Sequence, residues 1–141
     1  MFLHFGVMHI VFNLLWVWEV GRRIEMVNGA LALLAIVLLT SLSANVMQYA
    51  MAGPTLFGGM SGVVFGLLGY CFVWSRLVPS RDMGLPVGVY VFMVVFLVLG
   101  YAGIFDFIMP GKLANGAHLG GLVAGMALGL VFALRANVAR R

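Results

Sequence analysis

Ser61 stands in the stretch LFGGMSGVVFG, residues 56–66, where four glycines surround it in an otherwise apolar run. A serine hydroxyl attacks a carbonyl only when a neighbouring base takes its proton. Small residues around a serine are also common where membrane helices pack closely. The stretch alone therefore leaves two interpretations open: a helix-packing surface, or a nucleophile that a second backbone and a substrate can approach.

Three polar residues elsewhere in the chain could complete such a site. His118 lies in NGAHLGGLVAG and is the best-placed base, since an imidazole can take up a proton near neutral pH. His9 and Asn13 are four residues apart and therefore share one face of a helix. Their side chains could donate hydrogen bonds to a developing oxyanion, together with the backbone N–H of Ser61. The nearest acidic residue, Asp106, lies in a loop, so a Ser–His–Asp triad is not evident.

The composition indicates the solvent in which these residues lie. Of the 141 residues, 64% are hydrophobic and 9% are charged, whereas a water-soluble domain of this size needs more polar surface. The chain is therefore predicted to lie in a lipid bilayer. Residues 1–141 form one domain, because no polar or proline-rich linker divides them. The basic residues are spread over short loops and form no patch, so no nucleic-acid partner is predicted.

Five apolar segments are predicted to be membrane helices: residues 5–21, 29–48, 61–77, 86–104 and 117–134. The fold class is therefore an all-α polytopic membrane bundle. Seven of the eight basic residues fall on one side of the membrane, and these are Arg22, Arg23, Arg76, Arg81, Arg135, Arg140 and Arg141. By the positive-inside rule that side is cytoplasmic, which leaves Lys112 and the N-terminus of this chain outside.

This topology brings the unusual polar residues to one depth, opposite the arginines. They are His4, His9 and Asn13 at the first segment, Ser61 at the third, and Asn115 and His118 at the fifth. His4 lies five residues before His9, about 140° around an ideal helix, so it is predicted to face elsewhere or to precede the helix. Glycines at small-xxx-small spacing should let the third and fifth segments pack closely; they are Gly62 and Gly66, and Gly121, Gly125 and Gly129.

Three stretches in order, HIVFNLLW, GGMSGVVFGLLGY and NGAHLGGLVAG, resemble the signatures of the rhomboid intramembrane serine proteases, with the bacterial GlpG branch the most similar. The resemblance runs over essentially the whole chain. It implies that Ser61 is the nucleophile and that His118 is its general base and acid, a dyad without an acidic residue. It implies an endopeptidase that cleaves transmembrane segments of membrane proteins, without a cofactor or a metal.

The resemblance also assigns the surroundings of the dyad. His9, Asn13, Gly59 and the Ser61 backbone would position the oxyanion and the substrate. Supporting positions would be His4, Phe65 and Asn115, and Gln48 aligns with a polar residue at the outer end of its helix. Phe65 stands where that branch commonly has a tyrosine stacked on the histidine, so it keeps the ring and lacks the hydroxyl.

The rhomboid core has six helices, of which this chain is predicted to hold five, without the first helix and most of the loop that follows it. The resemblance implies a bacterial cytoplasmic membrane, with the site facing the outer side. It also implies that the fourth segment and the loop after it control lateral access of substrates. Two alternatives remain: a histidine-based transporter of metal ions or protons, and a non-catalytic rhomboid-like protein that binds membrane clients.

Overall fold

The structure is a computed structural model that describes residues 1–107 and 113–138, without the side chain of Asp106. It contains five α-helices, which are α1 (Val7–Asn28), α2 (Ala30–Ala52), α3 (Ser61–Leu77), α4 (Val87–Tyr101) and α5 (Asn115–Val138). No strand occurs in these two ranges. The predicted all-α bundle is confirmed. Lys112, Arg140, Arg141 and part of the predicted access loop lie outside the described residues.

α1 and α4 end close to glycines, and charged residues do not end α1. α1 continues through Arg22 and Arg23 to Asn28, seven residues beyond the predicted end, and stops where Gly29 adopts φ +87°. Arginine is a good helix former, so the charged turn stays helical after the apolar segment has ended. α4 ends at Tyr101, just before Gly103 with φ +74°, three residues earlier than predicted.

The five helices differ in length. α2 and α5 have 23 and 24 residues and are the two described helices that are long and apolar enough to cross a membrane. At 1.5 Å per residue each extends about 35 Å, against a hydrocarbon core of about 30 Å. α3 and α4 are apolar but shorter, with 17 and 15 residues. α1 has 22 residues and carries charged side chains in its second half.

The bundle places apolar side chains outward and several polar ones inward. α3 lies at the centre and is buried continuously from Gly62 to Cys71. Large apolar side chains of α1, α2 and α4 are exposed along their lengths. The buried polar residues are Asn13, Thr40, Ser41, Gln48 and His118. This distribution suits a hydrocarbon solvent, where exposed apolar groups cost nothing and polar groups face the interior.

α3 and α5 pack with almost no side chain between them. A Cβ atom added at Gly121 would overlap the carbonyl oxygen of Gly62, and one at Gly125 would overlap that of Gly66. Any larger residue at Gly121 or Gly125 would therefore push the two backbones apart. The predicted close packing of the third and fifth segments is present, and it fixes how the N-terminal ends of α3 and α5 meet.

At the other end of the bundle, charged groups connect α1 to the loop between α3 and α4. Glu19 forms ion pairs of 2.6 Å with both Arg22 and Arg23, which lie three and four residues further along the same helix. Arg23 Nη1 also donates hydrogen bonds to the carbonyl oxygens of Met83 and Gly84, at 2.9 and 2.8 Å. The loop after α3 is therefore held against α1.

Candidate active site

Ser61 and His118 meet at the N-terminal ends of α3 and α5. Ser61 is the first residue of α3, and His118 is the fourth residue of α5. His118 Nε2 lies 2.8 Å from Ser61 Oγ, a distance at which the hydroxyl can donate to an unprotonated ring nitrogen. The contact follows from the glycine packing, because Gly62 comes one residue after Ser61 and Gly121 three residues after His118.

Aromatic rings fix the plane of the His118 imidazole, which is only 1% exposed. Phe65 stacks on it with a centroid distance of 4.7 Å and an interplanar angle of 20°. Phe65 is four residues after Ser61, so both side chains emerge on one face of α3. Phe96 of α4 meets the imidazole edge-on at 5.8 Å. The imidazole is therefore held between two helices with Nε2 towards the serine.

The second nitrogen of His118 is not held by an acid in the described part of the chain. Nδ1 is buried and has no hydrogen-bond partner there. The polar support comes instead through the backbone: Gln48 Oε1 of α2 accepts a hydrogen bond of 3.1 Å from the N–H of Ala117, the residue before His118. Gln48 thus positions the first turn of α5 without touching the imidazole.

His9 and Asn13 of α1 lie against the glycine loop that leads into Ser61. Gly59 has φ +103°, and a Cβ there would lie 2.6 Å from His9 Nε2 and 3.6 Å from Asn13 Nδ2. Asn13 is 5% exposed and donates through Nδ2 to the His9 carbonyl oxygen at 2.8 Å. The amide carries a second N–H, which can serve another acceptor.

His4 precedes the first helix, which is one of the two placements predicted for it. Its ring centroid lies 5.1 Å from that of His9, at 68°, so the two imidazoles are in contact and His4 does not face away. The 140° offset assumed a continuous helix, but α1 begins at Val7 and His4 lies in the segment before it. His4 Nδ1 is 3.1 Å from the Phe2 carbonyl oxygen. Within the described ranges, no three His, Cys, Asp or Glu residues come together as a possible metal site.

Asn115 contacts α4 and, among the described residues, forms no hydrogen bond with the Ser61 or His118 side chain. Its Nδ2 donates to the Gly100 carbonyl oxygen at 2.8 Å, and its own carbonyl oxygen accepts from the Tyr101 hydroxyl at 3.4 Å. These two bonds join the start of α5 to the end of α4. Asn115 therefore lies beside the site and acts on it through helix placement.

Two contributors give no signal in the sequence. The Gly59 N–H donates to the Leu3 carbonyl oxygen at 2.6 Å, and a Cβ at Gly58 would overlap the same carbonyl group. Leu3 acts through its backbone, which residue type cannot reveal. Phe96 contacts the His118 imidazole but resembles every other apolar residue of its helix.

The groups around Ser61 have the chemistry that acyl transfer requires. A hydroxyl lies within hydrogen-bond distance of a base, and polar side chains of α1 lie beside the loop that precedes the hydroxyl. A carbonyl placed between them would meet a nucleophile on one side and hydrogen-bond donors on the other.

Comparison with known proteins agrees with this architecture. The family model described as the Rhomboid domain matches residues 1–135. The chain is also 42% identical over 125 residues to Rhomboid protease GlpG from Serratia proteamaculans (strain 568), a match that covers 89% of this chain. The chain spans 43% of the length of that relative. The match to the Rhomboid domain covers nearly the whole chain, and the chain therefore belongs to the rhomboid family of membrane proteins.

Proposed function

We propose that this chain carries the catalytic residues of an intramembrane serine endopeptidase that cleaves transmembrane segments of other membrane proteins. The observation that carries the proposal is the 2.8 Å contact between Ser61 Oγ and His118 Nε2. Membership of the rhomboid family supports the reaction class, and a relative of this chain is named as a protease.

The reaction follows from two groups that exchange one proton. Ser61 Oγ bonds to the carbonyl carbon of the scissile peptide while its proton passes to His118 Nε2. The C–N bond then breaks, and the leaving amine nitrogen takes that proton. A water molecule attacks the resulting ester, gives a proton to Nε2, and the new acid departs as Ser61 Oγ recovers the proton. Hydrolysis consumes one water and restores both side chains.

The negative oxygen formed during attack would be stabilised by N–H groups near Ser61. Backbone N–H groups in the first turn of a helix have no intrahelical acceptor, and Ser61 begins α3. His9 and Asn13 lie on the far side of Gly59 and would donate from their side chains. His4, through its contact with His9, and Phe65, through its contact with His118, would support these groups.

We further propose that the chain passes several times through a bacterial cytoplasmic membrane, with Ser61 towards the outer side. Ser61 begins α3 and Arg76 lies in its last turn, while His118 lies near the start of α5 and Arg135 in its last turn. The basic ends therefore lie opposite the proposed site. Under the positive-inside rule they face the cytoplasm.

Labelling with a fluorophosphonate probe tests the dyad in the full-length protein reconstituted in vesicles. We expect the probe to label the native protein at Ser61 and to leave Ser61→Ala and His118→Ala unlabelled. Ser43→Ala is the matched control, because its hydroxyl bonds to the Gly120 carbonyl oxygen away from the imidazole. Labelling that survives in both dyad variants would overturn the proposal. Stoichiometric zinc that His9→Ala removes would favour the transporter alternative.

A further inference from the structure

A second concave site lies at the opposite end of the bundle from Ser61. It is a cavity of about 550 Å³ between the last turns of α3, the loop that follows, and the first turns of α4. Arg76 and Asp82 line it, with hydroxyl groups from Ser75 and Tyr90. Its volume falls in the range of small-ligand pockets, roughly 300–1,000 Å³. None of the proposed proteolytic chemistry uses it.

This cleft holds one cation and one anion that do not pair with each other. Throughout the described residues, the ion pairs join Glu19 to Arg22 and Arg23 and involve neither Arg76 nor Asp82. The Ser75 hydroxyl, by hydrogen bonding, holds the pKa of Asp82 below its usual range, so the carboxylate is charged at neutral pH. Opposite charges that share a cleft without pairing leave room for a ligand that carries both signs.

The cleft also opens onto the apolar outer surface of α4. Val91, Val94 and Val95 line its wall and are each about half exposed. α4 buries only Met93 and Gly100, so its outer surface continues from the cleft along the helix without a covering element among the described residues. In a bilayer this wall would contact acyl chains, while the charged floor would lie at headgroup depth.

The cleft is held in place before any ligand arrives. Arg23 donates to the carbonyl oxygens of Met83 and Gly84, the two residues after Asp82. On the α3 side, the Arg76 guanidinium carbon lies 4.7 Å from the Phe72 ring centroid. A preformed site loses less conformational entropy on binding than a mobile one.

We propose that this cleft binds one phosphatidylethanolamine molecule from the leaflet at the basic end of the bundle. Its phosphate would bond to Arg76, its ammonium group to Asp82, and one acyl chain would lie along Val91 and Val95. An anionic phosphatidylglycerol satisfies only Arg76 and brings negative charge towards Asp82. A phosphatidylcholine has the same charges but no N–H to donate to the carboxylate. The site is independent of the proteolytic proposal.

Photolabelling of the full-length protein in vesicles tests the site. Diazirine-bearing phosphatidylethanolamine, phosphatidylglycerol and phosphatidylcholine are added separately at equal mole fraction, and labelled peptides from residues 87–101 are quantified by mass spectrometry. We expect phosphatidylethanolamine to label this segment about tenfold more than either other lipid, the effect of one charge-assisted hydrogen bond. Equal labelling by all three lipids, or stronger labelling by phosphatidylglycerol, would overturn the proposal.

Variants separate the contacts within the site. Arg76→Gln and Asp82→Asn should each lower phosphatidylethanolamine labelling about tenfold, and Arg76→Lys should retain most of it. Arg135→Gln is the matched control, because it removes a charge from the same end of the bundle outside the cleft. Val91→Trp obstructs the wall without a charge change and should also lower labelling. Labelling unchanged in both Arg76→Gln and Val91→Trp would refute the site.

Discussion

The two ends of α3 differ in the neighbour that bounds the site there, α5 near Ser61 and α4 near Arg76. Around Ser61 the backbones of α3 and α5 meet at glycines that leave no space for a Cβ atom. Around Arg76 the neighbouring α4 stands away and leaves the 550 Å³ cleft. A reacting pair of side chains needs fixed geometry, and contacts between backbones deform less than contacts between long side chains. A lipid site needs an accessible and charged surface. α3 therefore contributes to a closely packed site at its N-terminal end and to an open cleft at its C-terminal end.

The largest expected effect comes from removing the hydroxyl at the closely packed end. Ser61→Ala should reduce cleavage of a transmembrane substrate in vesicles by at least about a thousandfold, since the nucleophile is lost. Thermal unfolding should change little, because Ser61 begins the helix and, within the described residues, its side chain bonds only to His118. Cleavage retained at a tenth of the native rate would contradict the proposed role.

The next largest effect should come from separating the backbones without touching the dyad. Gly121→Leu forces a side chain against the Gly62 carbonyl group and should lower the free energy of unfolding by about 3 kcal/mol, the upper range for overpacking. Gly88→Leu at the open end is the matched control, because a Cβ there meets nothing within 4 Å. The free energy of unfolding of each variant is measured in mixed detergent and compared with that of the native protein. Similar losses from both variants would remove the distinction between the two ends.

Gly59→Ala should have a smaller effect, which falls on activity more than on stability. The added methyl group collides with the His9 imidazole, and the positive φ of +103° strains any residue with a Cβ, at a cost of about 1–2 kcal/mol. Gly53→Ala has φ +70° with open space around it, so it carries backbone strain alone. The cleavage rate should fall more for Gly59→Ala than for Gly53→Ala. Equal rates in the two variants would contradict the proposed role of His9.

The smallest effect should come from the ring stacked on the imidazole. Phe65→Leu removes an aromatic contact worth about 0.5–1.5 kcal/mol, so cleavage should fall about fivefold as His118 gains rotational freedom. Phe65→Tyr keeps the ring and should retain nearly the native rate. Catalytic rate and apparent substrate affinity are measured separately, since loss of imidazole positioning lowers the rate alone.

Much of the fold could be predicted from the sequence, because a continuous apolar run indicates a membrane helix. The sequence predicted all five helices and the close packing at Gly62 and Gly121. It placed the α1 boundary too early, since charge ends an apolar run without ending a helix, which continues to Asn28. It allowed for His4 lying before α1, as it does, but it did not predict the contact of the His4 ring with His9.

Two parts of the candidate site, Leu3 and Phe96, could not be predicted from the sequence. Leu3 holds the Gly59 loop through its carbonyl group, which every residue type possesses. Phe96 meets His118 only because α4 lies where it does, and no local pattern fixes that placement. The roles of Ser61, His118 and His9 are predictions that the variants above address, and the role of Asn13 is a prediction as well.

The glycine contact between α3 and α5 has a consequence for biosynthesis. The ribosome makes α3 well before α5, so a nascent chain already displays its serine while the proposed base is still unsynthesised. Until α5 is made, the Gly62 and Gly66 surface of α3 lacks its packing partner, and Ser61 lacks the His118 imidazole. The proposed nucleophile and its proposed base can therefore come together only late in synthesis, when α5 packs against α3.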